Sequence, residues 1–220
     1  MAQPTKLALI GTFYQRRNKT LELLNRVLKE STRSPDEFWM MCEDEEDAAV
    51  ADGWEKSYNN LHIKVLNTPC NEDGSYKVIP YSNKINWALD HTDADFITYL
   101  DNGSMPHPRK YEVMVGALDR PGIGAVYCSQ TRTGTTYGGM IMMPEYPISD
   151  AYSVLNYTQV MHRKTDDRWD LDMQWAVPYD LADAKFWRKL HASLGDFYPA
   201  WLGEEILDEH RIDGLQAVGL

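Results

Sequence analysis

Asp101, Asn102 and Gly103 directly follow the run Asp95 to Leu100, whose β-branched and aromatic residues have the length of a buried strand. A carboxylate placed where a core strand ends in an open sheet points into the crevice where ligands bind. A second set of acids, Glu43 to Asp47, follows another apolar run, Glu37 to Cys42. Acids in a row form either a solvated face or the negative first turn of a helix, here Asp47 to Asp52. Glu43 and Asp44 stand apart because they lie at the carboxyl end of a core strand. A third set, Asp180 and Asp183, opens the apolar-periodic segment Pro178 to Leu190. As charges at a helix N-terminus they complement the macrodipole, and Asp180 suits the N-cap. His162 closes the run Tyr157 to Met161, and a lone histidine there is most often structural.

These residues need a framework, and the apolar pattern predicts one. Lys6 to Thr12 reads as a first buried strand and Phe13 to Asn18 as a polar turn. Leu21, Leu24, Val27 and Leu28 form a helical stripe with Asn18 as N-cap and Ser31 to Pro35 as the stop. With Glu37 to Cys42 as the second strand, this is a βαβ unit, which favours a parallel sheet. A third strand spans Leu61 to Leu66, a loop runs from Asn67 to Ser75, and a helix carrying Ile85 and Leu89 leads to the strand that stops at Asp101. Beyond it, Tyr111, Val115 and Leu118 mark a helix, Gly124 to Ser129 a strand, and Thr131 to Gly139 a loop or hairpin. Met140 to Met143 reads as a core strand, Tyr157 to His162 as the last strand, and the helix from Pro178 closes at Gly195.

A chain of 220 residues is long enough for one well-buried domain and short for two. The hydrophobic share of 43% and charged share of 25% are those of a soluble globular protein. A net charge of -11 argues against non-specific nucleic-acid binding and against an anionic membrane surface. The N-terminal apolar run, Leu7 to Ile10, is too short for a signal peptide or membrane span, so the expected location is cytoplasmic. Of the cysteines, Cys42 and Cys128 sit in strand-like apolar runs and read as inert core thiols, without metal spacing to Cys70.

In order and separation, Thr12-Phe13-Tyr14, Glu43-Asp44, Tyr81-Ser82-Asn83-Lys84-Ile85-Asn86 and Leu100-Asp101-Asn102-Gly103 resemble the motifs of family 2 glycosyltransferases with the GT-A fold. Met105 to Pro108 and Leu207 to Ile212 extend the likeness to about residues 7 to 212. The resemblance implies an α/β, GT-A-like (Rossmann-like) fold: a mixed, mostly parallel central sheet with helices on both faces, in one domain over residues 1 to 220. Residues 1 to 104 would form the nucleotide-sugar half and 105 to 220 the acceptor half.

The implied activity is metal-dependent, inverting transfer of a sugar from a nucleotide-diphosphate sugar to an acceptor hydroxyl. Thr12, Tyr14, Glu43, Asp44, Asn83, Lys84, Asp101 and Asn102 would bind the donor, with Glu43 or Asp44 on the base and Asn83 or Lys84 on ribose and phosphate. Asp101 would anchor Mn2+ or Mg2+ in a metal site with Gly103 and His162, with neutral oxygens from Asn102 and Ser104. Two departures matter: the last acid of the metal motif is Gly103, and the arginine of the helix motif is Ser82. The likeness also puts Asp183 in the place of the general base, with Ala182 for the preceding Glu, Asp180 nearby and Glu204 or Glu205 as rivals. Trp169, Trp175, Trp187 and Trp201 fall on the acceptor side, where rings can stack on sugars. The acceptor stays open: a protein, a glycan, a metabolite or a modified nucleobase. Two other readings are a catalytically inactive sugar-nucleotide or glycan-binding module, favoured by Gly103 and Ala182, and a nucleotidyltransferase. The latter wants a glycine- and lysine-rich loop after the first strand that Gly11 to Arg16 lacks.

Overall fold

The residues 7 to 13 are apolar without alternation, as a strand flanked by parallel neighbours and covered on both faces requires. The computed structural model describes residues 5–14, 17–133, 140–142, 155–173, 181–201, 203 and 205–211. In it this run forms β1 (Leu7–Phe13), paired in parallel with β2 (Glu37–Cys42) on one side and β4 (Phe96–Asp101) on the other. Helix α1 (Arg17–Asn25), extended by a π-helical turn over Arg26–Glu30, joins β1 to β2. The short α2 (Glu45–Ala49) precedes β3 (Leu61–Val65), which lies parallel beyond β2. Pro80 opens α3 (Pro80–His91), where its missing N–H costs nothing.

The later strands complete the same sheet on the β4 side. After β5 (Ser104–Pro106) and α4 (Lys110–Leu118) come β6 (Ala125–Cys128), β7 (Gln130–Thr133) and β8 (Met140–Met142). A 3-10 turn, Tyr157–Gln159, leads into β9 (Val160–Arg163), and α5 (Leu181–Leu194), β10 (Phe197–Ala200) and β11 (Asp208–Arg211) follow. Among the described residues the main sheet has the order β10-β6-β9-β4-β1-β2-β3, with only β9 antiparallel to its neighbours. A smaller sheet, β5-β11-β7-β8, sits at its carboxyl-end side. The strand β10 carries Pro199 and lies at the sheet edge, where a residue without an N–H is tolerated.

Successive residues of β1 divide the core into two. Leu7 and Leu9 pack with Leu23 and Leu24 of α1 and with Tyr111, Met114 and Leu118 of α4. Ala8 and Ile10 pack with Ile85 and Leu89 of α3 and with Phe186, Trp187 and Leu190 of α5. Helices therefore cover both faces of the sheet. Gly195, with a φ of 81°, ends α5 in the left-handed region. Gly124 lets the end of α5 close on β6: a Cβ there would come within 2.6 Å of the Leu194 carbonyl oxygen.

Several sequence expectations are corrected. Asn18 lies inside α1 rather than capping it, and the acidic run folds as α2 from Glu45 with Asp44 as the cap. Tyr157 to Gln159 is a turn, because Asn156 and Gln159 form a capping box, and the strand begins only at Val160. It is not the last strand. Met140 to Met142 belongs to the edge strand of the small sheet, and Met143, Pro178, Asp180, Trp175, Glu204 and the glycines of residues 134 to 139 lie outside the described residues.

Candidate functional site

Parallel pairing aligns Thr12 with Asp101, so the carboxyl ends of β1 and β4 open side by side. Asp101 sits where the strand turns, and its Oδ1 accepts the Gly103 N–H at 2.8 Å, which fixes the Asp101-Asn102-Gly103 turn. Its Oδ2 accepts the Tyr157 hydroxyl at 3.1 Å. With that proton committed, the tyrosine oxygen accepts from Thr12 Oγ1 at 3.3 Å. Burial pushes the Tyr157 phenol well above its ordinary pKa and the adjacent Asp101 charge adds to it, so the hydroxyl stays a donor to Asp101.

The same tyrosine reaches Asp183. Its backbone N–H lies 3.3 Å from Asp183 Oδ2, in the first turn of α5. One residue thus touches Asp101 with its hydroxyl and Asp183 with its amide, so the two carboxylates lie at opposite ends of Tyr157. Asp183 is 8% exposed, low for a carboxylate that only complements a helix dipole.

Strand β11 adds a residue that the sequence reading missed. His210 pairs with Ser104 across β5 and β11, and its Nδ1 lies 3.3 Å from Ser104 Oγ and 3.7 Å from Asp101 Oδ1. That last distance is too long for a hydrogen bond. It matches two ligands sharing one cation, which at about 2.1 Å from each stand roughly 3 to 4 Å apart. Each Asp101 oxygen has accepted one hydrogen bond and keeps a second lone pair. Asp101 and His210 could therefore supply two ligands to a divalent cation; among the described residues no third acid, histidine or cysteine joins them. The signal that pointed here was the Leu207 to Ile212 segment, which contains His210.

The late histidine singled out from sequence lies elsewhere. His162 pairs with Ile97 near the start of β4, whereas Asp101 ends that strand. Both its nitrogens are used: Nδ1 lies 2.7 Å from the Arg163 carbonyl, and Nε2 accepts the Tyr99 hydroxyl at 2.7 Å. Burial lowers its pKa to about 4, so it is a neutral core residue and not a partner of Asp101.

At the end of β2 the nucleotide-side candidates form a network. Glu43 accepts the Thr68 N–H at 2.7 Å, the Thr68 hydroxyl at 2.9 Å and the Lys84 ammonium. Lys84 is also 3.0 Å from Thr68 Oγ1 and 3.5 Å from the Pro80 carbonyl. Burial would raise the Glu43 pKa, but the bonds from Lys84 and Thr68 outweigh it and hold the carboxyl below its usual range. With its three protons directed at these groups, Lys84 braces Glu43 and is not the phosphate cation expected from sequence. Asp44 caps α2 through the Asp47 N–H at 2.8 Å. Tyr14 is exposed and its carbonyl accepts from Asn102 at 2.7 Å, while Asn83 is half-buried on α3. Tyr76 lies against Tyr14 and Glu43; burial first, then the Glu43 charge and Tyr14, push its phenol up to about 12.

The remaining candidates separate. Trp169 and Trp187 are buried in the core, so they do not line an open acceptor surface; Trp201 is 39% exposed. Glu205 turns to His107, with its Oε2 3.6 Å from Nε2. That pair borders a groove of about 280 Å³ lined by Met105, Pro106, His107 and Glu209. Met105 and Glu209 alternate with Ser104 and His210, so the groove is on the face of the small sheet away from Asp101.

Comparisons with known proteins agree with this fold. The family described as Glycosyl transferase family 2 matches residues 9–173. Protein CgeD of Bacillus subtilis (strain 168) is 25% identical, over 92% of this chain and 49% of its own length. The solved S. aureus TarS 1-349 in complex with UDP superposes with a TM-score of 0.69 at 14% identity, covering 94% of this chain and 61% of that one. The mannosyltransferase PcManGT from Pyrobaculum calidifontis, in complex with GDP-Man and Mn2+, gives a TM-score of 0.57 at 13% identity over 88% of this chain and 54% of its own. The chain thus spans about half to three-fifths of these relatives.

Proposed function

Because the chain belongs to glycosyl transferase family 2, we propose that it moves a sugar from a nucleoside-diphosphate sugar to an acceptor hydroxyl with inversion at the sugar. The observation that carries this reading is Tyr157, which hydrogen-bonds Asp101 at 3.1 Å with its hydroxyl and Asp183 at 3.3 Å with its amide. Tyr157 thereby links a donor-side carboxylate to a candidate base, which supports placing the two on either side of one sugar. Asp101 and His210 would hold Mn2+ or Mg2+, with Asn102, the Gly103 carbonyl, water and the diphosphate completing the ligands. When bound, such a cation supplies positive charge to the leaving nucleoside diphosphate.

The chain's own groups do the rest. Asp183 takes the proton of the attacking hydroxyl, its carboxylate oriented by the Tyr157 amide. The wall of Glu43, Asp44, Tyr14 and Tyr76 receives the nucleobase, and Thr12 and Asn83 border the ribose and phosphates. Lys84 acts through Glu43, keeping it ionised. A cytoplasmic location is part of this reading; among the described residues no helix is long and apolar enough to cross a membrane.

Donor hydrolysis, with water in place of the acceptor, tests the proposal against a module that only binds. Asp183→Asn should leave UDP affinity unchanged and lower turnover by roughly 10²- to 10⁴-fold, the usual worth of a general base. Turnover at the unsubstituted rate would remove Asp183 from this role. Absence of hydrolysis together with tight, Mn2+-dependent UDP binding would favour the binding module, to which Gly103 and Ala182 already point.

A further inference from the structure

A closed polar cluster lies behind the crevice, where the small sheet meets the main one. Lys110, Asp208, Gln130 and Thr158 are all at most 1% exposed. The Lys110 ammonium donates to Asp208 Oδ1 at 2.9 Å and to the Thr158 carbonyl at 2.7 Å. Asp208 Oδ2 accepts Gln130 Nε2 at 2.7 Å and lies 3.0 Å from Thr158 Oγ1. Gln130 Nε2 is also 2.9 Å from Thr158 Oγ1, and that hydroxyl is 3.0 Å from Asn156 Oδ1.

The chain positions of these residues are what matter. Thr158 directly follows Tyr157, the residue that touches Asp101 and Asp183. Asp208 precedes His210 by two residues on β11, so the two share a face of the small sheet. Tyr157 and His210 reach Asp101 from separate parts of the chain, and their backbones are tied to one ammonium through Thr158 and Asp208. Burying a lysine and an aspartate costs several kcal/mol per ion, and such pairs are often no more stabilising than apolar replacements. Stability alone therefore gives weak grounds for placing one here.

We propose that the Lys110–Asp208–Thr158–Gln130 cluster is a positioning device that sets Tyr157 and His210 against Asp101 and so fixes the cation and diphosphate site. The proposal rests on the donor-site reading above. Thr158 and Asp208 act through the backbone they share with Tyr157 and His210, and Lys110 and Gln130 act through Thr158 and Asp208.

The test measures, by calorimetry, the factor by which Mn2+ raises the affinity for UDP or GDP, whichever binds the unsubstituted protein. The double variant Lys110→Met with Asp208→Asn removes the charge pair without stranding one charge. In the folded double variant that factor should fall about tenfold, the lower end of what is lost when groups orienting metal ligands are removed. Affinity without Mn2+ should stay within about twofold. A cluster that merely holds the fold would lower the melting temperature and leave the Mn2+ factor of the folded protein alone, and that result overturns the proposal. Asp101→Asn separates the two levels: if it abolishes the factor while the double variant does not, positioning fails and the donor site stands. If Asp101→Asn also changes nothing, the donor-site reading fails and takes the proposal with it. Should the double variant not fold, Thr158→Val removes only the shared hydroxyl; a lowered factor supports positioning, and an unchanged one overturns it.

Discussion

Lys84 with Glu43 and Lys110 with Asp208 are the same chemical pair in two settings. The first stands at the end of β2, with side chains 4% and 14% exposed; the second is enclosed, at 0% for both. In the enclosed pair each carboxylate oxygen is met by protein donors, and the ammonium spends its protons on Asp208 and a carbonyl. Such a pair can act only by holding. In the open pair, Lys84 and Thr68 keep Glu43 ionised while part of the carboxylate still faces outward, so the acid remains available to a ligand. Two ion pairs of equal chemistry thus differ in what they leave open: one carboxylate keeps a face that a ligand could reach, and the other is closed on all sides.

The sharpest way to break this contrast is to strand one charge. Lys110→Met leaves Asp208 in the interior without its cation and should cost about 3–5 kcal/mol by urea unfolding, most of it recovered on adding Asp208→Asn. A loss below about 1 kcal/mol would mean that the enclosed pair is not a charge pair at all.

A buried imidazole, where desolvation outweighs the nearby Asp167 charge, supplies the next largest effect. His162 has its pKa lowered to about 4 in the native state, against 6.5 for the ordinary imidazole. Between these values the unfolded chain binds the extra proton and the native protein does not, so stability falls as pH drops from 6.5 towards 4. The full loss is about 3 kcal/mol at about 1.4 kcal/mol per pH unit. His162→Gln should flatten this limb of the stability curve; an unchanged curve would show that another group titrates there.

Glu43→Gln should do less, about 1–2 kcal/mol, because Lys84 keeps Thr68 and the Pro80 carbonyl and lies near the open crevice. Its larger signature should be weaker UDP binding. Equal stability losses from Glu43→Gln and Lys110→Met would erase the distinction between the pairs.

The smallest effect is chemical. Burial pushes the Cys42 and Cys128 thiols up to about 12, while Cys70 is exposed. A thiol reagent at neutral pH should titrate one cysteine in the native protein and the other two only on unfolding.

The first half of the fold was legible because its strands are apolar runs, two of which lead into acids: Leu7 to Phe13, Glu37 to Cys42 and Phe96 to Asp101 carry their assignment in composition. The second half was not. Tyr157 to Gln159 has strand-like residues, but a local capping box overrides them, and Pro199 disguises β10. The small sheet joins segments far apart in the chain, β5, β7, β8 and β11, and that pairing is not written in local periodicity. The two histidines show the limit best. His162 and His210 both lie in strands, and composition does not say which end of a sheet a strand delivers. The antiparallel direction of β9 carries His162 to the start of β4, away from Asp101. Sign and spacing revealed the acids, but the chain direction that sorts ligands from core residues is a tertiary property.

Pro199 has a consequence beyond the assignment of β10. A sheet edge is a template: its free N–H and C=O groups invite a strand from another molecule, and repeated additions build a fibril. At the β10 edge the proline interrupts the row of donors over a strand of four residues, Phe197 to Ala200. At the opposite edge, β3 spans five residues and carries His62 and Lys64. Short length and a lysine blunt that side. The seven-stranded sheet therefore stops at its own borders, and the residue that hid a strand from the sequence reading also keeps that strand from recruiting another.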